Sequence, residues 1–207
     1  MIILWILLGI IALFVAFSLG WRWASRIWPL PCPSVTAWRF DNPLIRRLTR
    51  TTLDRLEIRP GQRILEIGPG PGRLLIPAAQ RVLPGGEAVG IDIQPGMIEW
   101  LKVRADRAGV TNLQAILGDA TRPHVPEASF DLVFLCTALG EIPDRAAALA
   151  QCYRALKPGG ILSVSEIFGD PHYQRRSVVQ RLAEAAGFRL QSIQGGWWMF
   201  TANFVKP

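Results

Sequence analysis

Cysteine is sparse in this chain. Cys32, Cys136 and Cys152 are the only three in 207 residues. They neither pair evenly nor stand at metal-ligand spacing. That excludes a disulfide scaffold and a thiolate metal site, and it reads as reduced thiols in a cytosolic compartment. Acidic residues are also short, 16 Asp and Glu against 23 Lys and Arg, for a net charge of +7. Such a balance suits nucleic acid, an anionic membrane surface or no specific partner. Nucleic acid is disfavoured, because the basic residues concentrate near the N-terminus and no base-stacking module is present. Neither an internal repeat nor a long low-complexity tract occurs. The length and a half-hydrophobic composition suit one domain plus a small extra element.

Charge is wholly lacking from Ile2 to Leu19. As a helix this run would span roughly 27 Å, close to the hydrocarbon thickness of a bilayer. Trp21, Trp23 and Trp28 follow with Arg22 and Arg26 among them, as at a membrane interface. The basic flank lies only on the C-terminal side, which predicts a single-pass anchor with the remaining chain in the cytoplasm. A cleaved signal peptide is the alternative, with Ser18 and Gly20 as its small residues, but no basic residue precedes the run. The expected organisation is a transmembrane helix over residues 1–20, an interfacial segment with a Pro-rich linker over 21–41, and a domain over 42–207. Asn42 and Pro43 suit the start of a helix whose Leu44, Ile45, Leu48, Leu53 and Leu56 recur at helical spacing. Arg39, Arg46, Arg47 and Arg50 of the Trp38–Ile58 region suit anionic headgroups or an ordinary solvated face.

The chain is organised around Arg63 to Gly72, RILEIGPGPG. Ile64, Leu65 and Ile67 make a short buried strand, and Gly68, Gly70 and Gly72 let the backbone turn sharply and approach a ligand. Glu66 sits inside this apolar strand, where a carboxylate is costly without a partner. A helix is expected over Arg73–Val82, its first N–H groups aimed at whatever the loop holds. Further strands are expected at Glu87–Asp92, Asn112–Leu117, Phe130–Cys136 and Ile161–Glu166. Helices are expected at Pro95–Ala108, Asp144–Leu156 and Gln174–Ala186. Phe188–Ile193 and Trp198–Val205 read as a terminal hairpin joined by Gln194–Trp197, with Trp197, Trp198, Met199 and Phe200 read as strand core. This alternation gives an α/β, doubly wound, mostly parallel seven-stranded sheet with an antiparallel C-terminal edge. Asp92 ends the second strand, where an acid of a doubly wound fold accepts from a ribose diol.

From about Leu48 to Pro207 the chain resembles a class I S-adenosylmethionine-dependent methyltransferase. The motifs are ILEIGPGPG (64–72), VGIDIQPGM (89–97), GDA (118–120), FDLVFL (130–135) and LKPGGILSVSE (156–166), in family order. The subgroup it most resembles contains the ubiquinone/menaquinone-biosynthesis methyltransferases. The resemblance implies that Glu66, Gly68, Gly70 and Gly72 line the methionine and ribose part of the cofactor and that Asp92 takes the ribose hydroxyls. It implies that Ile93 and Met97 pack on the adenine and that Asp119, with Ala120 beside it, accepts from the adenine amino group. Cys136 and Thr137 would reach the methionine end. Cys136 reads as an inert thiol with no basic partner in view.

Methyl transfer from a sulfonium needs an aligned nucleophile, exclusion of water, and a base only where the nucleophile must lose a proton. Candidates at the carboxyl edge of the sheet are Glu141 in TALGEIPD and His172 in FGDPHY, where Asp170 and Tyr173 also lie. The anchor points to a membrane-associated acceptor, either an isoprenoid quinone precursor or a phospholipid headgroup. A water-soluble acceptor, a nicotinamide oxidoreductase and a non-catalytic cofactor-binding membrane scaffold are the rivals. The terminal hairpin and Glu66 argue against the oxidoreductase.

Overall fold

The computed structural model describes residues 43–207 and, among the first twenty, the helical residues 5, 6, 8–10, 12, 13, 16 and 20. The expected span over residues 2–19 lies mostly outside the described residues, and the interfacial segment over 21–41 and Asn42 lie wholly outside them. Trp5, Ile6, Leu8, Ile10 and Leu13 are exposed. Among the described residues no helix is long and apolar enough to cross a membrane.

Helix α1 (Pro43–Arg55) opens the domain. Strands β1 (Arg63–Ile67), β2 (Glu87–Asp92) and β3 (Leu113–Leu117) follow, with α2 (Leu75–Arg81) and α3 (Pro95–Arg107) between them. Then come β4 (Phe130–Cys136), α4 (Arg145–Ala155), β5 (Leu156–Ile167), α5 (Arg176–Ala185), β6 (Arg189–Gly195) and β7 (Met199–Val205). The sheet runs β3-β2-β1-β4-β5-β7-β6. The first five strands are parallel, and β7 is antiparallel to both β5 and β6. The expected seven-stranded sheet and terminal hairpin are thus both present.

Alternation along each strand feeds two cores, one on each face. Leu65, Ile67, Val133 and Leu135 point to the face covered by Leu149 and Cys152 of α4 and Val179 of α5. Ile64, Leu132 and Phe134 point to the other, under Leu53 of α1, Leu75 of α2 and Leu101 of α3. Asp144 caps α4, its carboxylate accepting from the Ala147 N–H at 2.9 Å.

Three expected boundaries are corrected. The second helix begins at Leu75, not Arg73, because the loop winds through positive φ at Gly68, Gly70 and Gly72 and closes a turn from Gly72 N–H to the Pro69 carbonyl at 3.0 Å. The fifth strand begins at Leu156, because Leu156 pairs with Phe130 and the Lys157–Gly160 stretch is accommodated as a register shift. The hairpin tip is Gly196 to Trp198, closed by Gly196 N–H on the Met199 carbonyl at 3.0 Å. Met199 and Phe200 are core, as expected. Trp197 and Trp198 are 69% and 51% exposed, so the expectation of strand core fails for both.

Candidate active site

A cavity of about 380 Å³ opens at the carboxyl ends of β1 and β4, where the strand order reverses. Glu66, Gly68, Gly70, Asp92, Ile93, Met97, Asp119, Ala120, Cys136 and Thr137 all line it. Gly72 does not. A Cβ there would stand 2.5 Å from Leu101 Cδ1 and 2.8 Å from Ile76 Cδ1, so this glycine serves the packing of the loop on α2 and α3. Gly68 serves a close approach too, since its Cβ would meet Ala138 at 2.9 Å.

Glu66 is 2% exposed, and its Oε2 has no hydrogen-bond partner. Burial pushes its carboxyl up to about 8, opposed by the Arg73 guanidinium and the Leu75 N–H and aided by the Asp92 charge. The start of α2 therefore spends its Leu75 N–H on Glu66, where a ligand was expected. Asp92 is 7% exposed. It accepts from Gly70 N–H at 3.0 Å and Gln94 N–H at 2.9 Å, so it clamps the glycine loop while keeping lone pairs for a diol. Burial raises its carboxyl, and those same N–H groups pull it back.

Arg73 was read from the sequence only as a helix start, yet it lines the cavity. Its guanidinium donates to Cys136 Sγ at 3.2 Å and Thr49 Oγ1 at 3.3 Å, two neutral acceptors. Cys136 therefore does have a basic neighbour. Burial still pushes its thiol up to about 11, which leaves it protonated and inert. The signal for Arg73 was its place directly after the third glycine. Thr137, a β-branched residue, holds φ of 54°, a strained conformation fixed by its N–H on the Ser165 carbonyl at 2.9 Å. Asp119 lies in a turn, its Oδ1 accepting from Thr121 N–H at 2.8 Å.

On the acceptor side, Glu141 ends a 3₁₀ turn (Leu139–Glu141) and lines the cavity, as does Asp170. His172 does not line it. Its backbone instead packs against Gly140, where a Cβ would collide with the His172 carbonyl, and its N–H donates to Asp170 Oδ1 at 2.7 Å. The loop holding both is pinned by Glu166, which the sequence reading left as strand. Glu166 accepts from Gln174 N–H at 3.1 Å, is 1% exposed, and is raised well above the usual carboxylate range, first by burial. A carboxylate inside an apolar strand was the available signal, the same one that marked Glu66.

These residues fit an adenosyl amino acid. The unpartnered Glu66 oxygen suits an α-ammonium, and Arg73 suits an α-carboxylate. Asp92 suits a ribose diol, while Ile93 and Met97 offer an apolar wall.

Residues 64–160 match the family model of a methyltransferase domain. The chain is 38% identical over 130 residues to the nocamycin O-methyltransferase of Saccharothrix syringae, covering 63% of this chain and 45% of that one. It is 39% identical over 124 residues to the ubiquinone/menaquinone biosynthesis C-methyltransferase UbiE of Ectopseudomonas mendocina, covering 59% and 48%. It thus spans about half the length of these curated relatives. In fold it is similar to the crystal structure of a SAM-dependent methyltransferase from Aquifex aeolicus, with a TM-score of 0.78, 18% identity, and 85% and 100% of the two chains covered. Residues 64–160 are thus similar to a methyltransferase domain, and the chain, with its 3-2-1-4-5-7-6 sheet, has a fold like that of a SAM-dependent methyltransferase.

Proposed function

We propose that this chain methylates a membrane-associated small molecule or lipid, an isoprenoid quinone precursor before a phospholipid headgroup. The observation that carries the methyl-transfer part is the convergence of Glu66, Arg73 and Asp92 on one cavity. When bound, the cofactor supplies a methyl group on a sulfonium, already activated towards displacement. The chain's own residues bind and orient. Glu66 and Arg73 hold the amino-acid end, Asp92 the ribose, and Ile93, Met97, Asp119 and Ala120 the adenine. Thr137 and Cys136 border the methionine end. Glu141 stands on the acceptor side of the cavity, where it can take a proton from a hydroxyl or ammonium nucleophile. His172 serves the loop that carries Asp170. The membrane part rests on the uncharged run from Ile2 to Leu19 and its Trp/Arg flank, which support a single-pass anchor with the domain on the cytoplasmic side.

The names of the relatives span more than one kind of acceptor, since the matches include a ubiquinone/menaquinone biosynthesis C-methyltransferase and a nocamycin O-methyltransferase. The test is detergent-solubilised full chain with methyl-labelled cofactor, offered a lipid extract and a water-soluble pool side by side. Label in the organic phase is the expected result. Label only in the aqueous phase would assign the water-soluble acceptor. Cofactor binding with no label in either would assign the scaffold. A Glu141→Gln variant that keeps full turnover would remove Glu141 from the proton path.

A further inference from the structure

The two exposed tryptophans at the hairpin tip have no part in the core. Trp197 and Trp198 stack edge to face at 5.9 Å, and Phe168 packs on them at 5.4 and 6.0 Å. Tyr173 joins Phe168 at 5.5 Å and donates its hydroxyl to the Trp197 carbonyl at 3.1 Å. Phe168 N–H donates to the Trp198 carbonyl at 2.7 Å, which fixes the loop after β5 to the hairpin tip. Because Met199 pairs with Ile167, this tip lies at the carboxyl edge of the parallel strands. Asp170 of the same loop lines the cavity, so one short segment joins the aromatic patch to the site.

Cations flank the patch. Arg175 is exposed two residues after Tyr173, and Arg176 donates to Gly195 O at 2.8 Å with its guanidinium over Phe200 at 5.5 Å. Of the acids at this edge, Asp92, Asp119, Glu141 and Asp170 line the cavity, and Asp144 is exposed as the cap of α4.

We propose that the Phe168, Trp197 and Trp198 patch is a membrane-docking surface that seats the mouth of the cavity on an anionic lipid bilayer. Amphipathic tryptophan rings with arginines beside them match the headgroup region. The three rings, 38%, 69% and 51% exposed, offer on the order of 400 Å². That is about half of what each partner buries in a stable protein complex, yet enough for shallow insertion of a domain that a bilayer already holds. The surface rests on the membrane-held reading of the substrate for its purpose, but its test needs no turnover.

The test uses full-length chain with Cys32→Ser, reconstituted in phosphatidylcholine–phosphatidylglycerol bilayers. An environment-sensitive fluorophore is placed at Trp197→Cys, at Trp198→Cys as a second reporter, and at Arg189→Cys, at the far end of β6, as control. S-adenosylhomocysteine binding reports that each variant is folded. Spin-labelled acyl chains should quench both tip reporters about twofold or more and leave the control near its lipid-free value. Equal quenching at tip and control, or none at the tip, would overturn the docking surface while leaving methyl transfer and the anchor standing. Tip reporters shielded before lipid is added, in a particle of doubled mass, would make the occupant a second copy and overturn it too.

Discussion

Glu66 and Arg73 line the same cavity, and each gives a separate prediction. In the proposed placement of the cofactor, removing the guanidinium takes a charge-assisted hydrogen bond from its carboxylate, an interaction of about 1.5–3 kcal/mol. Arg73→Met should therefore weaken S-adenosylhomocysteine at least tenfold in calorimetry, on that same scale. Methylthioadenosine, which lacks the amino-acid end, should bind within about twofold of its affinity for the unaltered chain. Equal losses for both ligands would show that Arg73 acts on the loop and not on the carboxylate. Glu66 predicts a pH dependence. Its carboxyl titrates at about 8 in the folded chain and near 4.5 when unfolded. Between those values the folded state holds a proton that the unfolded state has lost, so this group's contribution to stability is full below about 4.5 and is lost as pH rises to about 8. The slope is at most about 1.4 kcal/mol per pH unit. Glu66→Gln should flatten it in denaturant midpoints. An incoming ammonium favours the carboxylate, so cofactor affinity should rise from pH 6 towards 8 in the unaltered chain and stay level in Glu66→Gln. A slope that persists in the variant would assign it to another group.

At the scale of elements, the glycine loop is as much a packing joint as a ligand cradle. Gly72 holds φ of 82° and leaves no room for a Cβ beside Leu101 and Ile76. Gly72→Ala combines a left-handed backbone costing roughly 1–2 kcal/mol with overpacking costing roughly 1–3 kcal/mol. The expected result is at least about 2 kcal/mol lost in chemical denaturation. A variant that loses cofactor affinity at unchanged stability would restore Gly72 to the ligand cradle. The strand and helix order was legible in the sequence because each buried parallel strand is a short apolar run and each turn is marked by Gly or Pro. Boundaries were less so. Tertiary hydrogen bonds decided them: Leu156 pairs with Phe130 before the Lys157–Gly160 stretch, and Gly196 N–H closes on Met199, which pushes Trp198 out of the strand.

At the scale of the whole molecule, two cores on the two faces of one sheet bury both described thiols. Burial raises Cys136 to about 11 and Cys152 to about 12. Both should react with a disulfide reagent only as the fold opens, on the order of a hundredfold slower than in denaturant. S-adenosylhomocysteine should slow Cys136, which borders the cavity, more than Cys152. Mapped labelling of Cys152 before Cys136 is protected, at the unfolded rate, would show that the α4 face is not the closed core described.

The sequence alone determined the chain's architecture and most of the residues that line its cavity. Those features depend on local signals: apolar runs, glycines, and acids at strand ends such as Asp92 and Asp119. Tertiary structure decided what depends on which residues meet. It brought Arg73 to Glu66 and Cys136 and turned the His172 backbone against Gly140 while Asp170 entered the cavity. It moved Gly72 from ligand to packing, and it left Trp197 and Trp198 exposed at the hairpin tip. None of these follows from spacing along the chain, because each is set by a contact between segments that only the folded sheet places side by side.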